Sequence, residues 1–191
     1  MHSLNAILRR LAMVCVGMSI ATAAAVAADL SAIPERKLNQ VVEETEDNDD
    51  WAPEDRVRLL GMLGCDGRPA VREQVALSLA SKPLVWSPQL ESLLIQLSDD
   101  PAVQVRTAAH DAFLHELLSL DGFDRSCLVV DWATSVDPRQ RRMMAHVLAV
   151  PLSALGVDDA LAQLATDDDP VIRDAALAST RALRHARLQR R

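Results

Sequence analysis

His115 and Glu116 stand side by side, and two more imidazoles, His110 and His146, lie on either side of them in the chain. Histidine and carboxylate ligands suit iron or zinc, so the chemistry these residue types suggest is a metal-dependent reaction through His110, His115 and His146. The spacing argues against it. The His-Glu pair occurs once, which cannot supply a two-metal site. His110 and His146 are one position out of step in the repeat register described below, and meet only if the third repeat is shifted. We read His115-Glu116 as a partly exposed helix end and expect no metal and no cofactor. The chain has no G-x-S-x-G, H-E-x-x-H, C-x-x-C or glycine-rich phosphate loop, so no nucleophile set is in view and a non-enzyme is expected.

Three other clusters invite the same question. Glu43, Glu44, Glu46, Asp47, Asp49 and Asp50 place six acids in eight residues. They lack the turn glycine and the closing glutamate of a calcium loop, and read as a solvated loop. Cys65 and Cys127 fall in the first and third repeats. Packed helices sit roughly 8–10 Å apart, so two repeats of separation exceeds the ~7 Å limit for a disulfide, and the pair reads as small buried thiols. Arg181, Arg184 and Arg187, with Arg190 and Arg191 behind them, share one side of a helix. They suit contact with an anionic surface such as a lipid headgroup, a wall polymer or an acidic partner. The plainer reading is charge complementing a helix C-terminus.

These residues hang on a repeated frame. Arg72, Arg106, Arg141 and Arg173 are 34, 35 and 32 residues apart. Twelve residues before each stands Leu60, Leu94, Val129 or Leu161; nine before, Leu63, Leu97, Trp132 or Leu164; three after, Val75, Ala109, Met144 or Ala176. Each unit holds two apolar stripes of helical period around a short turn rich in Asp and Pro. Val57, Leu59, Leu60, Met62 and Leu63 make the first stripe of repeat one, and Val129, Trp132, Ala133 and Val136 that of repeat three. The hairpins are expected over Pro53–Ser81, Pro88–Ser119, Asp124–Val150 and Val157 onward, and the last stripe turns polar at Thr180, as a terminal repeat requires. Proline begins the second helices, where its missing N–H costs nothing, and aspartate caps them. A fixed register at this period means stacked helix pairs, an all-α solenoid of about four hairpins.

The ends and the composition set limits. Residues 1–28 open with Arg9 and Arg10, continue as an apolar run and close on Val26-Ala27-Ala28. That is the pattern of a secretory signal peptide cut near Ala28, with export to a periplasm; an uncleaved membrane anchor is the alternative. Residues 29–52 are expected to form an N-terminal capping helix and the acidic loop, and residues 53–191 the repeat domain. Cleavage takes the net charge from −7 to −9, because two arginines and no acid leave with the leader. So acidic a chain repels phosphate backbones, and nucleic-acid binding is excluded as an expectation. Aromatic residues make up 3% of the chain, with no tyrosine, too few for a stacking surface or an ordinary enzyme pocket.

The turn with Asp and Pro followed by Val-Arg-x-x-Ala-Ala, closest in Asp99–Phe113 and Asp168–Ala178, resembles the HEAT repeat, over residues 57–183. In that family turn aspartates and helical arginines form a ladder between neighbouring repeats. The resemblance implies this role for Arg72, Arg106, Arg141 and Arg173 with Asp66, Asp100, Asp137 and Asp168. In repeat three Gln140 replaces the apolar residue before Arg141, so either Arg142 takes its place in the ladder or the turn is looser. Some HEAT-like hydroxylases bind iron through His-Glu pairs repeated across hairpins; a single pair departs from that pattern. The function implied is a non-enzymatic protein-binding scaffold, with Glu73, Thr107, Arg142 and Asp174, one after each anchor, as the partner surface.

Overall fold

The structure, a computed structural model, describes residues 30, 32–47, 51–82, 84–152, 154 and 156–189. The leader and its cleavage site lie outside these residues. The described residues are helical, with no strand among them, and no described helix is long and apolar enough to cross a membrane. The chain divides into two compact units, Met1–Ala112 and Phe113–Arg191.

The first unit holds α1 (Glu35–Asp47), α2 (Pro53–Leu63), α3 (Pro69–Ser81), α4 (Pro88–Ser98) and the start of α5 (Val103–Ser119). Proline occupies the first turn of α2, α3 and α4, where φ is already helical and no N–H is wanted. Ser87 caps α4 by accepting from the Leu90 N–H at 3.2 Å. α2 packs on α4, and α1 packs on α3. Leu38, Val41 and Val42 of α1 are fully buried, as are Leu60, Leu63, Val75, Leu90, Leu94 and Leu97 of the helices that follow, each worth roughly 1.5–3 kcal/mol of burial. Gly64 is the C-cap of α2, and the close approach of α4 favours glycine there, since a Cβ would stand 2.8 Å from Leu93 Cδ1. α1 runs on through Asp47. Glu43, Glu44, Glu46 and Asp47 are therefore helical, not loop, because Leu38, Val41, Val42 and Thr45 continue one buried stripe beneath them. Asp49 and Asp50 lie outside the described residues.

The second unit holds the end of α5, then α6 (Gly122–Ala133), α7 (Pro138–Val147), α8 (Val157–Leu164) and α9 (Pro170–Gln189). α6 packs on α8, α7 packs on α9, and each first helix packs on its own second helix. Phe113 and Trp132 stack with centroids 4.5 Å apart and planes 9° from parallel. Arg125 closes the C-terminus of α5, donating to the carbonyls of Leu117, Leu118 and Leu120 at 2.9, 2.9 and 2.6 Å. Those are carbonyls a helix end leaves without partners. Asp121 caps α6 through the N–H groups of Phe123 and Asp124, so this hairpin begins two residues before the expected Asp124. Gly156 caps α8 at φ 83°, a left-handed backbone that favours glycine.

All twelve residues of the apolar register are buried. Two stripe members are not. Val136 is 98% exposed, because α6 ends at Ala133 and Val136 falls in the turn. Met62 is half-buried, one position round the helix from Leu63.

Candidate functional site

The polar residues that the fold organises most closely are the anchor arginines. Each places Nη1 on the carbonyl six residues earlier, tying the second helix to its own turn. Arg72 reaches Asp66 O at 2.7 Å, Arg106 reaches Asp100 O at 2.7 Å, Arg141 reaches Ser135 O at 2.8 Å, and Arg173 reaches Asp167 O at 2.5 Å. The residue at that place also accepts the backbone N–H two residues on: Asp66 from Arg68, Asp100 from Ala102, Ser135 from Asp137, Asp167 from Asp169. One short acceptor side chain thus shapes each turn.

Two anchors also clamp the following hairpin. Arg72 holds Asp100 through Nε at 2.5 Å and Nη2 at 2.9 Å. Arg141 holds Asp167 through Nε at 2.6 Å and Nη2 at 3.2 Å. These are paired, charge-assisted bonds of the kind arginine makes best. They hold the Asp100 and Asp167 carboxyls below the usual carboxylate range, the arginine hydrogen bond being the larger cause in each. Among the described residues Arg106 and Arg173 form no ion pair; their bonds go to the carbonyls of Asp100 and Pro101 and of Asp167 and Asp168.

The acidic partners differ in part from those expected. Asp100 is the partner of Arg72. Asp66 pairs instead with Arg68, at 2.7 Å through both Nε and Nη2. Burial pushes Asp66 up, and the Arg68 bonds outweigh it to leave its pKa lowered. Asp137 does not meet an anchor: it pairs with exposed Arg139 and caps α7, and Ser135 stands in the turn place. Asp168 supplies only its carbonyl, and Asp167 takes the ladder position. Register decides this, since the functional place is six residues before each arginine, a count readable in the sequence as Asp66, Asp100, Ser135 and Asp167. The same geometry settles repeat three. Arg141, not Arg142, is the anchor, and Gln140 is half-buried, its Oε1 accepting from the Ser135 hydroxyl. Arg142 is half-buried with Nη2 3.3 Å from Asp169.

Thr107 and Asp174 are exposed and Glu73 is half-buried, so the positions after each anchor lie at or near the surface. Arg181, Arg184 and Arg187 are exposed on α9; Arg187 reaches Asp158 at 3.1 Å, and Arg181 Nε reaches Leu177 O at 3.2 Å. His110 and His115 are half-buried and His146 is exposed in the last turn of α7. The partly exposed helix end holds for His115 alone: Glu116 is 1% exposed and sits beside Leu117 on the core side of α5. The His115 Nδ1 is buried with no hydrogen-bond partner. Among the described residues no three His, Cys, Asp or Glu side chains gather as a metal site. Cys65 and Cys127 are exposed free thiols. The expectation of buried thiols fails because Cys65 lies in the turn after α2 and Cys127 on an outward turn of α6 beside exposed Val130. An open groove between α2 and α4 is edged by Val57, Leu93, Arg58 and Gln96, with Gly61 and Ser92 along it; neither a histidine nor an acid lines it.

No family model and no characterised protein matches this chain.

Proposed function

We propose that the chain is a non-enzymatic protein-binding scaffold of HEAT-like hairpins, exported by the leader at residues 1–28 and acting in the periplasm. One observation carries the reading. The hairpins repeat a buried register and a turn-binding arginine, while the residue after each arginine changes freely: Glu73, Thr107, Arg142, Asp174. A constant frame whose surface positions vary, as at exposed Thr107 in the first unit and exposed Asp174 in the second, is what recognition of a protein partner needs. The ionised groups best placed for chemistry, Asp66, Asp100 and Asp167, are committed to arginines and turn N–H groups. Photo-cross-linking residues at Thr107 and Asp174 in the exported protein test the proposal. The same discrete partner should be captured at both positions and not at exposed Gln89 on α4. A stoichiometric transition metal that is lost when His115 and Glu116 are changed to Ala would replace the scaffold by the metal-dependent reading.

A further inference from the structure

In the second unit α7 shows how one second helix is covered by the next. Four and seven residues after Arg141, Ala145 and Leu148 are fully buried. The Ser179 hydroxyl of α9 donates to the Ala145 carbonyl at 2.6 Å, and Arg141 holds Asp167 from the turn that introduces α9. The same places on α9 are Leu177, 47% exposed, and half-buried Thr180. Arg173, the equivalent of Arg141, uses only Nη1, on its own turn. The Nε–Nη2 edge that grips a carboxylate in Arg72 and Arg141 meets none among the described residues. Arg181, Arg184 and Arg187 continue along the exposed part of the helix.

We propose that this flank of α9 docks an acidic helical segment of another protein, whose turn carboxylate seats on Arg173 and whose apolar stripe covers Leu177 and Thr180. Charge selects the occupant: a helix edged with acids complements the arginines, and a basic one is repelled. A second copy of this chain is a poor fit. Its first turn carboxylate, Asp66, is 5% exposed and already clamped by Arg68, which also holds the carbonyls of Ile33 and Leu30 at 2.7 and 3.1 Å. Among the described residues Arg106 shares the unpaired edge of Arg173, but Arg173 is the one with exposed Leu177 four residues after it. The inference rests on the reading of the chain as a binding protein, but uses residues other than Glu73, Thr107, Arg142 and Asp174.

The probe is a fluorescent, hydrocarbon-stapled peptide with the sequence of residues 165–180, ATDDDPVIRDAALAST, the segment with which the chain covers its own α7. Its anisotropy on titration with the full exported protein should saturate below about millimolar concentration. Asn in place of the peptide's Asp167, or Arg173→Gln in the protein, should each weaken binding about tenfold, and the two together no more than one alone. Leu177→Asp, at an exposed position that leaves the fold intact, should abolish it. Equal binding by the Asp and Asn peptides, no effect of Arg173→Gln, or no saturable binding would overturn the inference. So would self-association in sedimentation that Leu177→Asp removes, since the occupant would then be a second copy. If the peptide fails while Thr107 and Asp174 still capture their partner, the scaffold reading stands and only this inference falls.

Discussion

Arg72 closes both Nε and Nη2 on the Asp100 carboxylate, 28 residues away, while its Nη1 holds the carbonyl of Asp66. One guanidinium therefore ties its own turn and the next hairpin together. Its side chain is 12% exposed and that of Asp100 7%, so removing either partner leaves the other desolvated and without its ion pair, keeping only the bond of Arg72 to the Asp66 carbonyl or of Asp100 to the Ala102 N–H.

The anchors should fall into two classes. Arg72→Ala and Arg141→Ala remove a clamp on another hairpin and should each cost about 2–4 kcal/mol. Arg106→Ala and Arg173→Ala lose carbonyl bonds within their own turn and should cost about 1 kcal/mol. Urea titrations of the four variants provide the comparison; four equal losses would show that the clamps contribute no more than the turn bonds.

Stability should fall in acid through the same contacts. The Asp100 and Asp167 carboxyls titrate below their unfolded value near 4. Their contribution is complete above that unfolded value and is lost as the pH falls through the lower folded values. Unfolding free energies measured from pH 7 down to acid should drop for the native chain. The drop should be shallower for Asp100→Asn, which has already lost the clamp; parallel curves would detach the acid response from this carboxylate.

Gly156 is the described residue at positive φ. Gly156→Ala should destabilise the second unit by about 1–2 kcal/mol, because alanine resists the left-handed backbone that starts α8 and its Cβ would meet Val130 at 3.3 Å. Gly156→Asn, with a residue better tolerated there, should recover part of the loss in thermal melts.

Phe113→Ala should be among the most damaging single changes, about 3–5 kcal/mol, since it opens a cavity beside Trp132. Loss of near-ultraviolet dichroism from the stacked rings would accompany it. An unchanged spectrum and midpoint would mean that the stack is not maintained in solution.

Both thiols should react with a disulfide reagent in the folded exported protein without denaturant, and Cys65→Ser and Cys127→Ser should each remove one equivalent. Protection of either until unfolding would place that side chain inside. N-terminal sequencing of the same preparation should begin close to Asp29, and recovery of Met1 on membrane-bound protein would favour an uncleaved anchor.

What the sequence alone determined is whatever depends on neighbours within a few turns. Helical period is local, so Leu60, Leu94, Val129 and Leu161 could be placed inside from spacing alone, and the hairpins Pro53–Ser81 and Pro88–Ser119 end where proline, serine and the apolar stripe end. Arg72, Arg106, Arg141 and Arg173 were legible as equivalent for the same reason. What each guanidinium holds was not. An ion pair forms only where packing delivers a carboxylate to within about 3 Å at low exposure, and helix contacts across 26 and 28 residues decide that. Packing thus brought a carboxylate to Arg72 and to Arg141 and, among the described residues, none to the Nε–Nη2 edges of Arg106 and Arg173; the turn places themselves, Asp66, Asp100, Ser135 and Asp167, follow from the count back from each arginine. It also set which side of α5 and α6 faces inward, burying Glu116 and turning Cys127 out. A small rotation of a helix changes such exposures without altering its period, so the period could announce the helices but not what their polar residues meet.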